Sequence, residues 1–254
     1  MYNTSIHTLF VGQKIIYMPT CQSTNDEAAA LLQQNPHTPE GTCLITDTQT
    51  AGRGQRGNTW EAASGQNLTF SLILKPVFVT ATAQFQLNVA ITLAIAELLG
   101  NVYAINDVRI KWPNDIYVKE QKICGILIEN ILQGAQIGQS IVGIGLNINQ
   151  INFGNPRATS LALLRGTTTT LPEVFGHLCK LIEKYYLQLR AGNYTTLKAK
   201  YLQQLYRRGD LANFADAAGQ PFEGEIIGIN DTGQLAVQTN NTLRYFSFKE
   251  IVYL

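Results

Sequence analysis

Residues 47–60 read Asp47-Thr-Gln-Thr-Ala-Gly-Arg-Gly-Gln-Arg-Gly-Asn-Thr-Trp60, a stretch with the composition of a loop. Gly52, Gly54 and Gly57 fall within six residues, Arg53 and Arg56 are interleaved with them, and no apolar periodicity passes through. The segment is a loop that any fold of this chain must route between two regular elements. Glycine lets backbone N–H groups approach an anion and take up φ > 0. Arginine adds a planar fork that grips carboxylate or phosphate at two points. Such a loop suits a ligand carrying both groups. The same composition also suits an ordinary basic surface turn, so the choice rests on what the rest of the chain places around it.

Residues 14–18 read as a short strand ended by Pro19. Thr24-x-x-Glu27 fits a capping box before the helix-forming Ala28–Leu32 run. As a helix N-terminus, Ser23, Thr24 and the freed N–H groups there also suit polar ligand atoms. Residues 43–46 read as a strand feeding the loop, and Leu68, Phe70, Leu72 and Leu74 alternate with polar residues as a strand does. Residues 80–99 have near-helical apolar spacing, with Gly100 placed as a C-cap. Strands follow at 108–111, 116–118, 123–129 and 140–148, with 131–139 as a turn region, and helices at 158–165, 171–190 and 194–207. Gly143 and Gly145 interrupt the 140–148 strand and predict room for a ligand over the sheet. Residues 213–223 turn small and polar. Beyond them, strands at 224–230, 234–239 and 243–248, with turns at 231–233 and Asn240-Asn241, predict a small all-β module.

Charge excludes one class of function. Nineteen Lys+Arg against 18 Asp+Glu leave a net of +1, too little for a nucleic-acid protein relying on bulk charge. Cys21, Cys43, Cys124 and Cys179 form no C-x-x-C pair, which points to free thiols in a reducing compartment. No signal pattern opens the chain and no apolar stretch nears the ~18 residues of a membrane span, so the expectation is a cytoplasmic protein without a membrane partner. His7, His37 and His177 are scattered and read as structural or surface residues.

Chemistry concentrates in a second place. Lys111, Asp115 and Lys122 lie in and around one hairpin. A lysine there stabilises negative charge as a phosphoryl group or oxyanion develops. An aspartate beside an incoming amine orients it or takes its proton, which an amine of ordinary pKa about 10.4 must lose before attacking an acyl group. With the 47–60 loop, this suggests acyl activation by a nucleotide and transfer to an amine. Lys119 and Glu120 read as plain hairpin-tip charges. Trp60 and Trp112, the only tryptophans, both fall beside these motifs.

Five segments together resemble the biotin protein ligase family: Ser23-Thr-Asn25, Gln49-Thr-Ala-Gly-Arg-Gly-Gln-Arg-Gly57 with Trp60, Lys111-Trp-Pro-Asn-Asp115, Lys122-Ile-Cys-Gly125, and Gly143-Ile-Gly-Leu-Asn-Ile-Asn149. They stand in the family's order and at its approximate spacings. The resemblance implies an α+β fold of the class II synthetase-like biotin/lipoate ligase type. Its mixed, largely antiparallel sheet is backed by helices over residues 1–208, followed by a small SH3-like β-barrel over 209–254. It implies that biotin and ATP, with Mg²⁺, give biotinyl-5′-AMP, and that biotin then passes to one lysine of a biotin carboxyl carrier protein.

By position, the resemblance assigns Ser23, Thr24, Gln49, Gly125 and Gly143 to the biotin pocket. Gly52 and Arg53 fall to the carboxylate and α-phosphate, with Arg56 in the same loop on the nucleotide side. Trp60 and Asn147 fall to the adenine, Lys122 to the mixed anhydride, Asp115 to the acceptor lysine, and Lys111 with Asn114 to the phosphate and metal side, though no metal ligands are identified. Gln55 departs from the pattern, standing where bacterial members carry a second loop arginine. The motifs begin at residue 23, leaving no room for the winged helix that lets some members repress transcription, so an enzyme without repressor function is expected. An exposed sheet edge is a route to a homodimer. The rivals are a lipoate or octanoate ligase, which uses a different glycine motif and lacks Trp-Pro-Asn-Asp, and a non-catalytic biotin sensor.

Overall fold

The computed structural model describes residues 2, 7–240 and 242–254; the side chain of Arg56 and the Asn241 half of the expected 240–241 turn lie outside the described residues. Seven strands form one mixed sheet: β1 (Ile15–Cys21), β2 (Cys43–Gln49), β3 (Leu68–Leu74), β4 (Val108–Lys111), β5 (Asp115–Val118), β6 (Gln121–Gln133) and β7 (Gln136–Leu146). Their order is β1-β2-β3-β7-β6-β5-β4. Only β1 and β2 run parallel; the other neighbours are antiparallel.

Strand alternation divides the sheet's two faces. Cys43, Ile45, Phe70, Leu72 and Val142 face a core built with helices α2 (Phe85–Glu97) and α4 (Leu171–Arg190), completed by α5 (Tyr194–Gln203). Leu44, Ile73 and Ile141 point the other way, onto Ala28 and Leu32 of helix α1 (Thr24–Gln34). Both faces being covered there, every residue of β3 is buried. On the α1 face the alternation also presents Thr69, Ser71, Gly143 and Gly145. Helix α1 covers only part of this face, and the rest is where a ligand can lie.

The sequence reading needs correction at several points. Pro19 does not end β1, which runs on to Cys21; β1 is an edge strand, where an imino nitrogen breaks no ladder bond. Gly100 is no C-cap: the helix continues through a π-helical turn at Leu98–Val102 that contains it. The 131–139 turn shrinks to the β6–β7 hairpin tip, where Gly134 supplies φ +62. The 158–165 helix is a single short α3 (Leu161–Arg165) capped by Ser160, whose hydroxyl accepts from the Leu163 N–H. The segment Ala81–Val102 is in fact long and apolar enough to span a membrane on length and composition alone. Here it is a core helix, with Leu87 to Ala96 all buried inside the protein.

Five further strands, β8 (Leu211–Asp216), β9 (Pro221–Ile229), β10 (Leu235–Gln238), β11 (Leu243–Phe246) and β12 (Ile251–Tyr253), form an all-antiparallel, barrel-like sheet in the order β11-β10-β9-β8-β12. β8 and β12 escape the sequence reading, because the polar 213–223 composition hides one and the other is only three residues long. This small sheet is bolted to the large one. The Trp112 indole N–H donates to the Gly233 carbonyl at 2.8 Å, and its ring lies 6.4 Å from that of Phe248.

Candidate active site

A cavity of about 530 Å³ opens on the sheet face that α1 leaves bare, within the 300–1,000 Å³ usual for small-molecule sites. Four regions wall it: the start of α1, the glycine-rich loop, the strands β3 to β7, and Phe248, Lys249 and residues 251–253 of the small sheet.

The start of α1 does not cap itself. Ser23 is the N-cap residue but makes no side-chain cap bond, so the expected Thr24–Glu27 box is absent. Thr24 is engaged elsewhere: its N–H and hydroxyl both donate to the Gln49 side-chain oxygen, at 2.8 and 3.2 Å, and its hydroxyl accepts from Ser71 at 2.7 Å. The chain spends this cap on linking α1, β2 and β3 into one buried polar wall. Asn25 belongs to that wall too. Its amide donates to Glu129 at 2.6 Å, and its oxygen lies where a Cβ on Gly143 would have to go. Gly143 therefore clears space for Asn25 as well as lining the cavity.

The loop leaves β2 and returns by a backbone bond from the Trp60 N–H to the Gly52 carbonyl, 2.9 Å. A Cβ at Gly52 would strike the Trp60 carbonyl and sit 2.8 Å from the Gln49 amide, so the crossing admits only glycine. Arg53 is clamped at the cavity rim. It gives both arms of its fork to Glu129, at 3.1 and 2.9 Å, and pairs with Asp26 at 2.7 Å. Partial burial pulls its basicity down, but the two carboxylates outweigh that and hold it above the usual arginine value. Gln55 lines the cavity with its side-chain oxygen buried and unpartnered.

Trp60 lays its indole on the sheet. Gly145 has no room for a side chain because the indole fills that place, and a Cβ on Gly125 would come within 3.1 Å of the same ring. The glycines thus clear room for a loop aromatic resting over the strands. Its N–H is buried without a partner.

Lys122 and Asp115 meet in a 2.7 Å ion pair, with the Lys122 ammonium 5.7 Å from the Trp60 ring centroid. Asp115 stands opposite Gly125 on β6, and the Lys122 ammonium lies over that glycine, 3.2 Å from where a Cβ would stand. Lys111 stands opposite Asp115 on β4, and burial pulls its amine below the ordinary lysine value despite the opposing pull of Asp115. The intervening turn is pinned from two sides: Asn88 donates to the Pro113 carbonyl at 2.9 Å, and the Asn114 amide donates to the Ile126 carbonyl.

The sequence-derived residues thus converge with two qualifications. Ser23, Thr24, Gln49, Arg53, Trp60, Lys111, Asn114, Asp115, Lys122, Gly125 and Gly143 all line one cavity, and Gly52 lines the adjoining cleft on the loop's outer side. Asn114 turns its amide to the backbone. Asn147 is not among the lining residues; it is buried behind the wall, its amide donating to the Thr159 carbonyl at 3.0 Å. The reading missed Glu129 and Asp26, the partners of Arg53, and the contribution of residues 248–253. No local pattern marks either; both depend on strand register and on how the small sheet docks. Among the described residues no group of three or more His, Cys, Asp or Glu side chains is placed to hold a metal ion.

An antiparallel-dominated sheet whose glycine-bearing loop closes over paired lysine and aspartate defines an acyl-activating ligase site. The family profile described as "Biotin/lipoate A/B protein ligase family" matches residues 17–147, and the chain belongs to that family, on its biotin protein ligase branch. It is 33% identical to the bifunctional ligase/repressor BirA of Bacillus subtilis over 94% of this chain and 74% of that one. It is 29% identical to the biotin–[acetyl-CoA-carboxylase] ligase of Mycobacterium tuberculosis, over 85% and 80% of the two chains. The biotin protein ligase of Aquifex aeolicus in complex with biotin and ATP superposes with a TM-score of 0.79 at 27% identity, covering 94% of this chain and 98% of that one.

Proposed function

We propose that this ligase activates biotin with ATP and passes it to a specific lysine of a biotin carboxyl carrier protein. The observation that carries the proposal is one cavity running from the buried polar wall of Ser23, Thr24 and Gln49 to the Lys122–Asp115 pair. The Aquifex relative, which holds biotin and ATP, supports the choice of ligands, and the Mycobacterium relative's name supports the class of acceptor.

In the first step the biotin carboxylate attacks the α-phosphorus of ATP, and pyrophosphate leaves. The polar wall holds the ureido ring system. Arg53 exchanges Glu129 or Asp26 for the incoming anion, and Lys122 stabilises charge on the forming mixed anhydride. In the second step the acceptor amine attacks the acyl carbon and AMP leaves with the bonding electrons. Asp115, already placed to hold a cation, accepts the amine's proton. Trp60 borders the adenine, and Lys111 faces the polyphosphate. Magnesium commonly binds through one or two carboxylates plus substrate phosphates. Among the described residues no acidic cluster is placed to hold the ion; one delivered with the nucleotide would neutralise phosphate charge.

The even charge balance, 19 against 18, supports an enzyme rather than a repressor; operator binding by the purified protein would overturn that part. Four free, buried thiols support a reducing, cytoplasmic setting. The deciding experiment is biotin-dependent ATP–pyrophosphate exchange followed by transfer to a carrier domain. Wild type performs both, and Lys122→Ala loses about 10²–10³-fold in exchange. Exchange with lipoate alone would reassign the substrate, and biotin binding without exchange would make the protein a sensor.

A further inference from the structure

Lys111 is held in a way that the two-step reaction does not explain. Its ammonium lies 4.7 Å from the Tyr117 ring centroid, 4.7 Å from that of Tyr253 and 5.6 Å from that of Tyr206. The Tyr117 hydroxyl is 3.5 Å away. All three distances fall within the ~6 Å reach of a cation–π interaction. The rings come from β5, from the turn after α5 and from β12, and they pack on one another at 5.5 and 6.1 Å between centroids. Tyr206 is tethered by its hydroxyl to Glu120, and Tyr253 packs edge-on against Phe214 at 5.4 Å.

Among the described residues no carboxylate lies within ion-pairing distance of Lys111, whereas Lys122 has Asp115 at 2.7 Å. The difference has a chemical meaning. A carboxylate partner neutralises an ammonium; aromatic faces hold it and exclude water while leaving its charge intact. Lys111 and Tyr253 both line the cavity. The charged groups acting on this amine are Asp115, Glu120, Arg157 and Arg207.

We propose that Tyr117, Tyr206 and Tyr253 are positioning residues that keep the Lys111 ammonium un-neutralised and aimed at the polyphosphate of the bound nucleotide, so that the small β-sheet takes part in the activation step and not in acyl transfer. The inference rests on the ligase reading above.

Tyr253→Leu, Tyr253→Phe and Lys111→Ala, with the Lys111→Ala/Tyr253→Leu double variant, test it. In biotin-dependent pyrophosphate exchange, Tyr253→Leu raises KM for ATP about tenfold, the equivalent of about 1.4 kcal/mol, and leaves KM for biotin unchanged. Tyr253→Phe, which keeps the ring and loses a hydroxyl that has no partner, stays within about twofold of wild type. Transfer from preformed biotinyl-AMP is unaffected by Tyr253→Leu, and the double variant is no worse than Lys111→Ala alone. An independent readout is the proton-titration curve of the 13C-methylated lysines. The Lys111 signal, assigned by its loss in Lys111→Arg, titrates below the other lysines and moves further from them in Tyr253→Leu, which keeps an apolar neighbour but removes an aromatic face from the ammonium. Should Tyr253→Leu fail to fold, Tyr206→Leu serves in its place with the same expected outcomes. Additive effects in the double variant, equal losses in transfer, or Phe as damaging as Leu would overturn the proposal. Wild type lacking biotin-dependent exchange would overturn the ligase reading with it; wild type that exchanges while Tyr253→Leu keeps normal ATP dependence removes the cage alone.

Discussion

Arg53 and Lys111 are cations lining the same cavity, and they are held by opposite means. Arg53 sits on a glycine-rich loop, its side chain 41% exposed, gripped by two carboxylates that are themselves half in water. Lys111 projects from a strand into three tyrosine rings. Exposed ion pairs are worth roughly 0.2–1 kcal/mol, so the Arg53 clamp can exchange one anion for another at little cost. A desolvated ammonium among aromatic faces has no such substitute. The loop cation is built to change partners and the strand cation to stay in place.

Trp60 joins the two regions, and Gly145→Ala is the strongest test of their connection. The added methyl occupies the indole's position, so the ring must leave the sheet and the loop must reopen. Activation falls about 10–100-fold, and tryptophan emission shifts to that of an exposed indole; a variant with native emission and native exchange would mean the loop does not depend on its seat on β7. Gln55→Arg replaces a buried, unpartnered amide oxygen with a third loop cation and slows escape of the adenylate by up to about tenfold, read as release of labelled intermediate; an unchanged release rate counts against it. Glu129→Gln weakens the Arg53 clamp. Amide exchange at residues 52–58 quickens, while KM for biotin changes by less than about fivefold; a larger loss would show Glu129 to be more than a placeholder.

The smallest effect concerns pH. Burial lowers the Lys111 amine below its ordinary 10.5, whereas Arg53 is held above its own usual value. KM for ATP therefore rises on the alkaline side before pH 10.5, by less than about fivefold, and the loop cation contributes nothing to that change. The sign for stability follows from the same shift. Between the lowered folded value and the ordinary one, the unfolded chain binds more protons, so folding gains as pH rises through that window. Compared with Lys111→Met, wild type is at its greatest disadvantage below the folded value and recovers above it. Paired thermal melts from pH 7 upward check this, and a gap that does not change with pH would place the amine at its ordinary value.

Local chemistry was legible in the sequence to the extent that it was local. The 171–190 helix is found at its true bounds because its apolar period, Pro172 and the following break all agree. Leu68–Leu74 is found from its alternation, although of its polar alternates Thr69 faces a ligand cavity and Ser71 the buried polar wall rather than water. Thr24 misled because its hydroxyl fits a helix cap equally well, and only the approach of Gln49 and Ser71 decides between the two uses. Asn147 misled in the other sense: its place in a motif says nothing about which side of the sheet wall its amide takes. The tyrosines at 117, 206 and 253 carry no shared pattern, since what unites them is the docking of one sheet against another.

That docking gives the order of synthesis a chemical consequence. Phe248, Lys249 and residues 251–253 wall the cavity beside a lysine made far earlier, at position 111. Until that stretch is made, Lys111 lacks its Tyr253 face, just as Trp112 lacks its acceptor until Gly233 is made. A chain at that stage has its motifs in sequence but not the cavity wall that the small sheet supplies beside Lys111.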